Sequence, residues 1–329
     1  VNSRTPSSGE TQTAYEYREG GRSARAAVIR WLCRIFVRPT LACWPLRGPL
    51  SKMMPLVNLA LRVVPRLRET ECEHVDGGTW RAEFVRPRGA GDSVAAILYL
   101  HGGAFLFCGL ATHRRIVERL ALRTGLPVLS VAYRHLPKGR LDESLADAAE
   151  AVRWLETRGI AAAKVVCVGD SAGGHLAFAL ALNAPAAGLP RPAGVVGLSP
   201  WLDFDSVTKL GHRNARTDVF IPARRLSRVG LLCAGNGTEI DPLRSPVNGD
   251  LSCLPPVLIQ CAEDEVLRCD AELMAERLTA AGVRHRLQIW QGQVHAFPVL
   301  GQVLPESSAA LDEIATFTTV VLAGSANAA

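Results

Sequence analysis

The 329-residue chain has few aromatic residues, 6% of its positions, and no run of about 18 uncharged apolar residues. A membrane-spanning helix is thereby excluded; the nearest stretch, 28–37, is interrupted by Arg30 and Arg34. Its nine cysteines are odd in number and include no Cys-x-x-Cys pair, and Cys167 and Cys261 lie inside apolar runs. Buried free thiols in a reducing cytoplasm are expected, not a disulfide framework. No His-Glu-x-x-His motif and no Cys/His cluster at ligand spacing occurs, and no glycine-rich loop leads into Gly-Lys-Ser/Thr. Neither a metal nor any other cofactor is expected. Residues 1–20 lack a secretory core of apolar residues, so they read as a flexible tail without a signal peptide. Repeats and low-complexity segments are missing as well.

Hydrophobic residues make up 48% of the chain and charged residues 21%, the proportions of an ordinary globular protein with a sizeable core. The net charge of +6 is unevenly placed. Residues 1–66 hold eleven Lys/Arg against three Glu, so the remainder is slightly acidic. The pI of 9.0 therefore belongs to the N-terminal region and does not argue for a nucleic-acid-binding body.

In 22–37 apolar residues recur at helical spacing (Val28, Ile29, Leu32, Ile35, Phe36), with Arg30, Arg34 and Arg38 opposite. Prolines at 39, 45, 49 and 55 are expected to break the chain before a second helical stretch at 56–64. This basic amphipathic arm, 21–70, predicts a packing helix or a cap over a pocket, with a membrane-surface foot as the alternative use. Beyond it, 71–75 and 79–86 flank Asp76-Gly77-Gly78 as a hairpin. Short apolar runs at 94–100, 128–131, 165–168, 194–198, 257–262 and 286–290 then alternate with helical patterns at 114–124, 141–158, 174–183, 270–281 and 307–322. That alternation predicts an α/β core (71–202 and 238–322) with a mostly parallel sheet covered on both faces. The interval 203–237 has no convincing strand and reads as an insertion.

The apolar run 165–168 enters Gly169-Asp170-Ser171-Ala172-Gly173, and a helix pattern follows at once. This is the context of a nucleophile elbow, where a strained turn pushes the serine oxygen out at the end of a strand. A serine hydroxyl needs a base to take its proton. Of eight histidines, His295 lies just past the last strand, at the carboxyl edge where reacting groups of a parallel sheet gather. His285 stands at the opposite end of that strand, and His175 falls in the first turn after the elbow, directed by helix geometry rather than by the site. Base and carboxylate partner complete the constellation. The strand 257–262 ends in Glu263-Asp264-Glu265, three acids that position alone does not separate; Asp264, just past the strand and shorter than Glu, is the expected partner. For the oxyanion, His101-Gly102-Gly103 follows a strand, so the amides of Gly102 and Gly103, with that of Ala172, are the expected donors. Asp170, Asp203 and His101 read as supporting groups.

His101-Gly102-Gly103-Ala104-Phe105 together with Gly169-Asp170-Ser171-Ala172-Gly173-Gly174 resembles the bacterial hormone-sensitive-lipase group, family IV of the microbial esterases. The likeness extends to Tyr133-Arg134 with Pro137, 199–203, 241–246, Asp264 with Glu265-Val266-Leu267, and the Gly292/His295/Phe297 segment, and so spans roughly residues 80–320. The closest flavour is that of the actinobacterial Lip-type carboxylesterases. The resemblance implies an α/β-hydrolase fold, a triad of Ser171, Asp264 and His295, no cofactor, and a helical cap made by the N-terminal segment and the 203–237 insertion. Lys138 stands where the family has Glu after Pro137, and the arm is unusually basic. The expected activity is hydrolysis of short- to medium-chain acyl esters, with small-molecule substrates and no nucleic acid. Amide hydrolysis and ligand binding without catalysis are the alternatives.

Overall fold

The computed structural model describes residues 14–18, 22–46 and 55–324. Among these residues nine strands form one sheet: β1 (Ala14–Arg18), β2 (Thr70–Asp76), β3 (Arg81–Pro87), β4 (Ala96–Leu100), β5 (Val128–Ala132), β6 (Val165–Asp170), β7 (Gly194–Leu198), β8 (Val257–Ala262) and β9 (His285–Trp290). Their order is β1-β9-β8-β7-β6-β4-β5-β3-β2. Only the β2–β3 and β3–β5 pairs are antiparallel; every other neighbour is parallel.

Every residue of β4, β6, β7 and β8 is buried, which is what continuous apolar runs require of a sheet covered on both faces. Side chains of successive residues leave a strand on opposite sides. Thus Leu98 and Leu100 of β4 join a core with the helices Leu141–Thr157, Ala172–Asn183 and Arg268–Ala280. Ile97 and Tyr99 join a second core with the helices Leu110–Thr124 and Pro305–Gly324. The expected α/β architecture is present, and its strands and helices lie where the periodicity puts them.

Two expectations for the N-terminal region need correction. Residues 14–18 do not belong to a flexible tail: β1 pairs in parallel with β9 along the sheet edge. Glu16 fixes it there by accepting two bonds from Arg286 at 2.9 and 3.0 Å and one from Gln288 at 3.0 Å. Five residues with a half-polar pattern give too little periodic signal to separate such a strand from a tail. The rest of the expected tail, 1–13 and 19–20, lies outside the described residues.

Pro39 does not break the arm. The helix Ala24–Leu32, capped by the Ser23 hydroxyl on the Ala26 amide, runs through one π turn (Cys33–Val37) into the helix Arg38–Cys43. Pro39 opens that last segment directly after the π turn, where the Arg38 amide reaches back to the Cys33 carbonyl in place of the usual i→i−4 partner. The second stretch is the short helix Pro55–Ala60 followed by a 3₁₀ turn at Leu61–Val63. The interval 203–237 carries helices Val207–Gly211, Asn214–Thr217 and Ala223–Cys233 and no strand. No helix among the described residues is long and apolar enough to cross a membrane.

Candidate active site

Among the described residues six non-glycine positions have positive φ: Ala104, Phe105, Cys108, Ser171, Ser199 and Ala296. All six follow the carboxyl ends of β4, β6, β7 and β9. Such backbone costs about 1–3 kcal/mol per residue and persists where the surroundings over-determine it. The strain is concentrated at one rim of the sheet.

Ser171 sits at φ 52°, ψ −117°, between β6 and the helix Ala172–Asn183. Its amide donates to the Leu198 carbonyl at the end of β7. The turn has no room for side chains on its glycines. A Cβ on Gly169 would stand 2.2 Å from the Gly173 carbonyl oxygen, and one on Gly173 would stand 1.9 Å from that of Leu100. The elbow expected from the sequence is therefore the backbone observed.

His295 is buried, and its Nδ1 lies 2.7 Å from Glu265 Oε2. Here the structure departs from the expected triad. The neighbouring acid, Asp264, points outward and pairs with Arg30 of the arm at 2.9 Å. Glu265 turns inward because its Oε1 also accepts the Ala262 amide at 2.9 Å, folding the side chain back on the end of β8. Burial begins at Glu265 and continues through Val266 and Leu267, while Glu263 and Asp264 remain partly exposed. A readable signal existed: the acid that abuts an apolar pair belongs to the buried run, and the acids before it to the loop. The extra methylene of Glu, counted against it in the sequence, supplies the reach.

Electrostatics distinguish the histidines. Burial pushes His101 down to about 3 and His175 down to about 4, so both are neutral. Burial acts in the same direction on His295, but the hydrogen bond and charge of Glu265, with Asp218 and Asp170 farther off, outweigh it and raise His295 above its ordinary value. Asp218, in the insertion, was not foreseen. Its carboxylate accepts from the Val266 amide at 2.8 Å and from those of Phe220 and Ile221 at 2.7 and 2.9 Å, tying the insertion to the Glu265 loop. Burial raises it to about 6 against those bonds. Ser199, also unforeseen, accepts the Ala296 amide at 2.9 Å and so fixes the loop that carries His295.

The glycine pair after β4 also divides differently from expectation. The Gly102 amide donates to Asp170 Oδ1 at 3.0 Å, so it does not face a substrate. Gly102 is glycine for proximity: a Cβ there would lie 2.1 Å from Asp170 Oδ2. Asp170 is a buried hub that also accepts from Tyr99 at 2.7 Å and meets His113 at 3.3 Å. Gly103, at φ +116°, turns the chain, and its carbonyl accepts from Leu106 and Phe107. Gly103 and Ala104 then line the cavity alongside Ser171 and His295. His101 supports this loop from behind, stacked on Tyr133 with centroids 4.5 Å apart.

That cavity, about 300 Å³, is predominantly apolar. Its floor is the rim just described. Its walls come from the arm (Ile29, Leu41, Trp44) and from the insertion (Phe220, Leu226, Val229). Arm and insertion are tied by Arg38 on the Ala215 carbonyl at 3.3 Å and by Arg225 on the Trp44 carbonyl. Away from the cavity, Cys72, His74 and Glu83 on β2 and β3 bring potential ligand atoms within 4.8 Å of one another, a cluster that sequence spacing did not suggest. Glu83 is held there by Arg66 at 2.5 Å.

Comparison with known proteins agrees with this architecture. Residues 97–299 match a family model described as an α/β-hydrolase fold. The carboxylesterase/phospholipase LipF of Mycobacterium tuberculosis is 35% identical over 311 residues, covering 92% of this chain and 83% of that protein. The esterase LipU of the same organism is 37% identical over 290 residues, covering 85% of this chain and 97% of LipU. The crystal structure of an esterase from the bacterial hormone-sensitive lipase family superposes with a TM-score of 0.81 at 29% identity, covering 92% of this chain and 99% of that one. The chain belongs to the α/β-hydrolase fold family and, within it, to the bacterial hormone-sensitive-lipase group of carboxylic ester hydrolases.

Proposed function

We propose that the protein is a serine carboxylesterase that cleaves short- to medium-chain acyl esters through an acyl-enzyme on Ser171. The observation that carries this reading is the shared cavity: Ser171 on its strained elbow and His295, buried and bonded to Glu265, both line it. His295 takes the Ser171 proton as the hydroxyl attacks the ester carbonyl. Glu265, accepting from Nδ1–H, fixes the tautomer that leaves Nε2 as the base and stabilises the imidazolium that forms. The role expected for Asp264 passes to Glu265, and Asp264 serves the arm.

Negative charge on the tetrahedral intermediate falls to three amides: Gly103, Ala104 and Ala172. Gly102 is replaced in this set because its N–H is already bonded to Asp170. Ala172 opens its helix, where the first amides have no intrahelical partner and the dipole favours an anion. His295 then protonates the departing alkoxide, and water attacks the acyl-enzyme by the same route in reverse. An apolar cavity of about 300 Å³, at the small end of ligand pockets, suits a short to medium acyl chain. Nine unpaired cysteines support the cytoplasmic placement expected from the sequence.

The test is Ser171→Ala assayed on p-nitrophenyl butyrate, with labelling of the native protein by a fluorophosphonate probe. Turnover should fall by about 10⁴-fold or more with the melting temperature unchanged, and the probe should modify Ser171 alone. Residual activity within tenfold of the native enzyme, or labelling elsewhere, would overturn the assignment. A matched anilide should be cleaved far more slowly than the ester; equal rates would favour the amidase reading.

A further inference from the structure

We infer that the outer face of the N-terminal arm is a seat for an anionic lipid surface. This goes beyond the esterase reading and does not depend on it, since binding is measured without turnover.

The arm has two faces with different tasks. Ala26, Ile29, Cys33 and Val37 face inward and pack with Val219, Val294 and Phe297, and Ile29 and Cys33 also wall the cavity. The opposite face is apolar and exposed: Val28 is 56% accessible, Trp31 57%, Leu32 40%, Ile35 44% and Phe36 58%. These residues recur at helical spacing, and the Trp31 and Phe36 rings meet edge to face with centroids 6.5 Å apart. Soluble surfaces scatter large apolar residues singly; five on one helical face mark an interaction site.

Charge selects the partner. From Arg22 to Arg68 the sequence carries ten Lys/Arg and no Asp or Glu. Arg22, Arg25 and Arg34 are exposed beside the apolar face, whereas Arg30 and Arg38 turn inward to Asp264 and the Ala215 carbonyl. A second copy of the chain meeting this face symmetrically would set arginines against arginines with no arm acid to receive them. An anionic bilayer satisfies both features, taking the aromatic and aliphatic side chains below the headgroups and the guanidinium groups among the phosphates. The arm would then lie in the interfacial plane, with its other face still forming a wall of the cavity.

Full-length protein is sedimented with vesicles of phosphatidylglycerol and phosphatidylcholine in equal parts, and with vesicles of phosphatidylcholine alone. Three proteins are compared: the native chain, Trp31→Ser/Phe36→Ser, and Arg25→Glu/Arg34→Glu. None of these positions lines the cavity, so hydrolysis of a dissolved p-nitrophenyl ester serves as the folding control and should stay within twofold. The native protein should partition at least tenfold better to the anionic vesicles, with the advantage shrinking in high salt. Each exposed arginine contributes roughly fivefold, so the charge-reversed variant should lose at least 25-fold, and the serine variant should lose at least tenfold. Equal partitioning to both vesicle types, variants that bind like the native chain, or a native dimer that the variants dissociate without vesicle binding, would each overturn the inference.

Discussion

The floor and the walls of the cavity are built on different physical terms. The floor is backbone at strand ends, strained at six non-glycine positions and cross-tied by buried polar bonds such as Asp170 to Gly102, Ser199 to Ala296 and Glu265 to Ala262. The first two join loops that follow different strands and the third folds the β8 loop back on its own strand end, so a displacement of one group is resisted by its neighbours. The walls are side chains from two helical segments that meet through apolar packing and a few arginine-to-carbonyl bonds. Geometry that must hold to a fraction of an ångström is assigned to the sheet rim. Shape that decides which acyl chain enters is assigned to segments able to vary without disturbing it.

The comparison breaks first, if it breaks, at the acids. Glu265→Gln should lower kcat/KM by about 10³–10⁴-fold, because the imidazole loses the carboxylate that orients it and stabilises its charge. Asp264→Asn should stay within about threefold, the magnitude of a partly exposed ion pair. A steady-state assay on one short ester decides between them, and the reverse ranking would return the role to Asp264.

Gly103→Val comes next. Its Cβ would fall 2.1 Å from the Phe107 carbonyl oxygen in a backbone conformation that valine avoids. Misplacing an oxyanion donor costs ~3 kcal/mol, or about 10²-fold in kcat with KM little changed. Asp218→Asn sharpens the boundary between floor and wall. Its carboxylate accepts three amides, including that of Val266 next to Glu265. Substitution should cost about 1–3 kcal/mol of stability and lower kcat more than it raises KM. Denaturant melts beside kinetics separate the two effects.

For the walls, Trp44→Ala should leave acetyl ester turnover within about twofold and shift KM for longer acyl esters several-fold, as enlarging an apolar pocket does. The smallest effect expected is in the pH profile. His295 must be neutral to act as base, and its pKa is raised, so activity falls with acid through a limb lying above the ordinary histidine value. Removing the Glu265 carboxylate withdraws the main raising influence, and the residual acid limb should move to lower pH. A profile of kcat/KM for native enzyme and Glu265→Gln checks the sign.

Legibility in the sequence follows the same division. The parallel sheet and the elbow were readable because burial on both faces demands unbroken apolar runs, and because a serine on a tight strand-to-helix turn demands glycine at Gly169 and Gly173. The place of His295 at the carboxyl rim was readable from strand order. Which acid meets it was not, since Glu263, Asp264 and Glu265 share one strand end and only the direction of each side chain separates them. Gly102 and Gly103 were indistinguishable as letters, and a buried partner, Asp170, decides which amide remains to face a ligand. The positive φ of Ala104 could not be read from an alanine. Strand β1 escaped notice because its pairing is with residues some 270 positions away and its own five residues alternate only weakly.

That short strand has a consequence for handling the protein. Without it, β9 would be the outer strand, and its unpaired amides and carbonyls would offer a template to any extended peptide, including another molecule in the same tube. Trimming the chain to residue 22 would remove nothing from the cavity, yet it would leave Arg286 and Gln288 without Glu16 and exchange a short edge strand carrying Glu16 and Arg18 for a longer, more apolar one. A shortened preparation should clump on concentration while its dilute activity stays intact.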